Sequence, residues 1–174
     1  MKINRVLSAV SLLIFALFSM TASGLGEQEY IIEKDFSALT PIYMNGHSGD
    51  PQWIEGFSFS GQILLNGGMI GTVTGEARLW NPPMSMGEVY DHVTMRITNT
   101  IDGLGTFQVF AQGVTIGSST SATVGDYMLS WTGSVANGTG YFNNFFGTSA
   151  GSGLSNLFAG TATATEIITL RSGF

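Results

Sequence analysis

Glu76, Arg78, His92 and Arg96 are the residues whose types and spacing could carry acid–base chemistry. Glu76 and Arg78 alternate on one face of "MIGTVTGEARLW", and His92 and Arg96 on one face of "YDHVTMRITNT". If these segments pair as neighbouring strands, Glu76 meets Arg96 or His92 across the ladder. Enclosed in a fold, Glu76 or His92 would act as general base, with Arg78 or Arg96 stabilising an anion. On an outer face the same residues form a surface ion pair of little energetic weight. The opposite faces carry Val73, Ala77 and Leu79, and Val93, Met95 and Ile97, so the outward placement is expected.

A second group, His47, Asp50 and Glu55, lies within "NGHSGDPQWIEG". It lacks an H-x-H pair and the Asp/Asn-x-Asp spacing of a calcium loop. A solvated loop is expected there, with no metal and no cofactor. Trp53, Trp80 and Tyr90 flank the loops and could stack on a sugar or line the mouth of a barrel. Between Gly103 and Thr165 the only acid or base is Asp126. No G-x-S-x-G is present, and there is no cysteine for a thiol nucleophile, a thiolate metal site or a disulfide.

The elements that must position these residues are strands. "GFSFSGQILLNGG" alternates and then breaks at Asn66-Gly67-Gly68, a hairpin signal. Val73, Gly75, Ala77 and Leu79 share one face of the next segment, whose end is set by Pro82 and Pro83. "TFQVFAQGVTI" places Phe107, Val109 and Ala111 together, and "YMLSWTGSV" places Tyr127, Leu129 and Trp131 together. "YFNNFFGT" and "LFAGTATATEIITLR" complete about eight short strands. "EYIIEKDF" reads as an earlier strand, and "TPIYMNGHSGDPQW" as a loop. No segment after Gly56 has a capped 3.6-residue period. The reading is all-β, an antiparallel barrel of about eight strands, with a β-sandwich as the alternative.

"WTGSVANGTGYFNNFFGTSAGSG" is dense in glycine. No helix follows it and it holds no G-K-[ST], so it does not read as a phosphate cradle. Asn137-Gly138-Thr139-Gly140 suits a hairpin needing positive φ. Gly133 suggests a bulge or tight bend, and Gly147, Gly151 and Gly153 flank a corner. Tyr141, Phe142, Phe145 and Phe146 are expected to pack as core and as cover for bare glycine backbone.

Lys2 and Arg5 precede the uncharged apolar run Val6 to Met20 and the small residues "TASG". That order is a secretory signal peptide, cleaved after Ser23 or Gly24. The domain expectation is therefore a signal at 1–24, a first strand and irregular segment at 25–55, and a barrel at 56–174. Beyond the signal, four basic residues face twelve acidic ones, a charge of −8. Four scattered cations cannot build a groove for phosphates, which argues against nucleic acid and anionic membrane surfaces as partners. A secreted or periplasmic location follows.

From Tyr127 to Leu170 the chain resembles the allene oxide cyclase and dirigent type of barrel. A glycine interrupts one strand, a Gly-Thr-Gly turn precedes an aromatic, another glycine follows, and "FAGTATATEIITL" ends the series. The resemblance implies an eight-stranded antiparallel barrel, association into a dimer or trimer, and a cyclase-like or dirigent activity shaping a reactive small molecule. It transfers no catalytic residue. The residues alone favour non-catalytic binding of a small apolar ligand, or a surface interaction with a partner. A third reading is a small outer-membrane barrel ending at Phe174. Counting back by two from Phe174 reaches Leu170, Ile168 and Glu166, so in that reading Glu166 would face lipid, which is costly.

Overall fold

The computed structural model describes residues 27–44, 54–80, 92–117, 126–156 and 159–173. Eight strands run in order: β1 (Gln28–Met44), β2 (Ile54–Leu65), β3 (Gly68–Trp80), β4 (His92–Ile101), β5 (Gly105–Gly117), β6 (Asp126–Ala136), β7 (Phe145–Asn156) and β8 (Thr161–Ser172). Each pairs antiparallel with the next, and β8 pairs back with β1, closing a barrel. The expected eight-stranded antiparallel barrel is what forms, not a two-sheet sandwich. Closure removes every free sheet edge.

β1 is longer than the expected first strand. It continues through Pro41 to Met44 and pairs with β2 across register shifts at Phe36/Ala38, Pro41/Tyr43 and Tyr43/Met44. Such irregularities accommodate a proline, which has no N–H to give to a ladder. Because β1 contacts both β2 and β8, the barrel begins at Gln28 and not at Gly56.

Period-two alternation sorts the side chains. The interior holds Ile32, Phe36, Phe59, Ile63, Val73, Ala77, Val93, Met95, Ile97, Phe107, Val109, Ala111, Trp131, Val135, Ile168 and Leu170, all buried. This is the partition expected for β3, β4, β5 and β6. The outer surface carries Glu29, Glu33, Asp35, Glu76, Arg78 and Arg96, all exposed. The same outer surface also exposes Ile31, Met69, Phe110, Val114, Met128, Phe146, Leu154 and Ile167. The outer-membrane reading would turn Glu166 to lipid, which the structure does not show. Glu166 shares the inward face of β8 with Ile168 and Leu170 and is fully buried, so it would never face lipid.

One end of the barrel is plugged. Asn66 (φ 52) and Gly67 (φ 76) make the tight β2–β3 hairpin there. The β6–β7 connection is not the simple hairpin expected. It folds Gly140–Phe142 into a 3-10 turn, so Tyr141 and Phe142 precede the strand, which starts only at Phe145. Phe142 is fully buried against Phe107, ring centroids 5.0 Å apart. Burying such a ring contributes roughly 1.5–3 kcal/mol. The amide of Tyr141 donates to the carbonyl of Leu104 at 2.8 Å, tying this plug to the β4–β5 turn. Phe146 lies outside and is exposed.

Two further glycine expectations change. Gly133 makes no bulge, because β6 keeps continuous register with β5 and β7. Gly147, Gly151 and Gly153 lie within β7 and not at a corner. The inward face of β7 is thus Gly147, Ser149, Gly151, Gly153 and Ser155, a wall almost without side chains.

Candidate binding site in the barrel interior

The bare wall of β7 makes room for one large ring. Trp131 on β6 is buried and its indole lies against Gly151, where an added Cβ would sit 2.2 Å from Cζ2. Phe59 covers Gly75 on β3 in the same way, its ring 2.4 Å from where a Cβ would be. Both pairs set an aromatic face on bare backbone.

Above Trp131, towards the ends of the strands that lead into residues 45–53, 81–91, 118–125 and 157–158, lies an apolar cavity. Its walls include Phe36, Leu39, Phe57, Phe59, Met95 and Trp131, and it encloses about 50 Å³ before opening outward. Gly153 and Ala164 form the rest of the floor. A void of that size admits one small group of a ligand, with the remainder of the molecule in the mouth.

Below this floor lies a charged cluster. Lys34 on β1 and Glu166 on β8 meet with Nζ 2.5 Å from Oε2, and neither side chain reaches solvent. Ser149 Oγ donates to Glu166 Oε1 at 2.5 Å, and Trp131 Nε1 donates to the same oxygen at 3.3 Å. Lys34, Ser149 and Trp131, from three strands, therefore converge on one carboxylate in a dry interior. Burial pushes the Lys34 ammonium below its ordinary range, and the Glu166 charge and hydrogen bond oppose that shift. Asn99 on β4 is a further fully buried polar group, and neither of its amide atoms has a hydrogen-bond partner. Towards the plugged end, Tyr30 donates its hydroxyl to Gln28 Oε1. Its pKa is pushed up to about 12, chiefly by burial and then by Tyr141.

The residues singled out from sequence fall elsewhere. Glu76 and Arg96 do face each other in register across β3 and β4. Both point outward, more than half exposed, with Nη2 4.0 Å from Oε2. Arg78 is also exposed on the outer surface. His92 and Trp80 end their strands, and only their backbone lies within the described residues. Trp53, Tyr90, His47 and Asp50 lie outside the described residues, and of Glu55 only the backbone is described. Among the described residues no three His, Cys, Asp or Glu side chains cluster as metal ligands. Lys34 and Glu166 are not among the site residues expected from sequence, although the alternation pattern contains them. Tyr30, Ile32, Lys34 and Phe36 share one face of β1, and Ala162, Ala164, Glu166 and Ile168 one face of β8. Opposite charges set on apolar strand faces are the signal of a buried pair.

The closed eight-stranded antiparallel barrel is the fold of the allene oxide cyclase and dirigent-like proteins. No family model matches the sequence, and no curated protein matches it. Solved structures do. A nonspecific heme-binding cyclase that catalyses a 4 + 2 cycloaddition in neoabyssomicin biosynthesis aligns with a TM-score of 0.52 at 16% identity. That alignment covers 99% of this chain and 80% of the other. A pterocarpan synthase dirigent protein aligns with a TM-score of 0.51 at 13% identity, over 86% of this chain and 97% of the other. At such identity the likeness is one of fold.

Proposed function

We propose that this protein is exported and binds a small, mainly apolar molecule in the cavity at the barrel end opposite the plug. The carrying observation is the cavity walled by Phe36, Phe57, Phe59, Met95 and Trp131, which offers almost no hydrogen-bonding group to a ligand. The leader-like start, with Lys2 and Arg5 before the run Val6 to Met20, supports export. Native mass spectrometry on chain recovered from its own host tests the reading, together with calorimetric titration of single-ring hydrophobes such as ethylbenzene. Ala164→Phe, which fills the floor, should abolish binding. Binding unaffected by that substitution, or none in the unaltered protein, would remove the reading.

A second reading is catalysis by shape. The two aligned structures belong to proteins named for a cyclase and a synthase activity. A dry apolar mould can favour one conformation of a reactive molecule with few polar groups, through orientation and exclusion of water. Stereochemically uniform product from a racemising precursor, lost in Ala164→Phe, would support it over simple binding.

A further inference from the structure

We propose that Lys34 is the polar anchor of the cavity, and that the ligand class is apolar molecules carrying one neutral hydrogen-bond acceptor, a ketone or an aldehyde oxygen. This rests on the binding reading above and names the chemistry of the same site.

The argument starts from the strand register. Phe36 and Ala162 face each other at the cavity wall, and Lys34 and Ala164 face each other one step deeper. Ala164 and Phe36 both line the cavity. Lys34 and Phe36 are inward neighbours on one strand, about 7 Å apart along it. The Lys34 nitrogen stays beside Glu166 Oε2, so the ligand oxygen must come down past Ala164 to meet an N–H that the flexible lysine stem can aim at the floor.

Capacity agrees with position. An ammonium has three N–H donors. Glu166 is the charged partner of Lys34, and Oε2 takes that contact. Glu166 itself is held in place by Ser149 and Trp131. A ligand oxygen arriving at the floor would therefore accept a charge-assisted bond from Lys34 while the ion pair persists.

Charge then selects the ligand. Lys34 and Glu166 together are neutral, so an incoming carboxylate would meet the Glu166 charge without a compensating cation. A carbonyl oxygen adds an acceptor and no charge. Its apolar body stays among Phe57, Phe59, Met95 and Leu129 in the mouth. Trp131 joins the two tiers, because it walls the cavity and donates to Glu166.

The test compares acetophenone with ethylbenzene, close in shape and differing in the carbonyl, by calorimetric titration of the full mature chain. The unaltered protein should prefer acetophenone by about tenfold, the worth of a hydrogen bond to a charged group. Lys34→Met should bind both alike. The double variant Lys34→Met/Glu166→Leu leaves no stranded charge, so it should fold and also bind both alike. Equal affinities in the unaltered protein, or a preference that survives both substitutions, would overturn the anchor and leave the binding reading standing. Failure of both probes to bind would overturn the two together.

Discussion

Lys34 and Glu166, on the first and last strands, meet 2.5 Å apart in the interior of the barrel with no solvent exposure. Closing the barrel is therefore also the act that pairs these charges. Removing one partner strands the other in a low-dielectric core. Glu166→Leu alone should lower stability by about 3–5 kcal/mol, and Lys34→Met alone by a similar amount. The double variant Lys34→Met/Glu166→Leu should be near neutral or more stable than the parent. Urea unfolding of the three variants measures this. Additive losses in the double variant would mean that the pair does not act as a unit.

Trp131 needs Gly151 to be bare. In Gly151→Ala the new Cβ would lie 2.2 Å from the ring, so the indole must turn away and its N–H must leave Glu166. The expected cost is about 1–3 kcal/mol of overpacking. Near-ultraviolet circular dichroism should report the displaced ring. A variant with unchanged stability and spectrum would show that the indole is not seated on that wall.

The outer pair of Glu76 and Arg96 should behave differently from the inner one. Both side chains are more than half exposed and their charged atoms are 4.0 Å apart. Glu76→Ala, Arg96→Ala and the double variant should each change stability by less than about 1 kcal/mol, with small coupling. Ligand titration should be unaffected, because neither residue lines the cavity. Loss of binding in any of them would move the site to the outer face.

Much of this was readable from alternation. Val73, Ala77, Val93, Met95, Ile97, Phe107, Val109 and Ala111 were all placed on apolar faces by period two, and all are buried. Asn66-Gly67 announced its hairpin through the positive φ that both residues adopt. Alternation also put Lys34 and Glu166 on apolar faces. It does not say which face of a strand turns inward when that face carries a charge. No local pattern joins the first strand to the last, because only closure brings them together. The glycines misled for a related reason. Turn grammar explains a glycine near Asn137, whereas Gly151 is demanded by Trp131 on the neighbouring strand, a contact that spacing does not encode.

The dependence of stability on alkaline pH should have two limbs of opposite sign. Burial lowers the Lys34 pKa from 10.5. Between that lowered value and 10.5 the unfolded chain binds more protons than the native one, so stability rises with pH. Tyr30 is raised from 10.0 to about 12. Between those values the native state binds more protons, so the contribution of Tyr30 is complete below pH 10 and is lost as pH climbs through 12. Urea midpoints taken from pH 8 to pH 11 should therefore pass through a maximum. Lys34→Met/Glu166→Leu should lack the rising limb, and Tyr30→Phe should soften the fall. A rising limb that survives unchanged in the double variant would show that Lys34 is not its source.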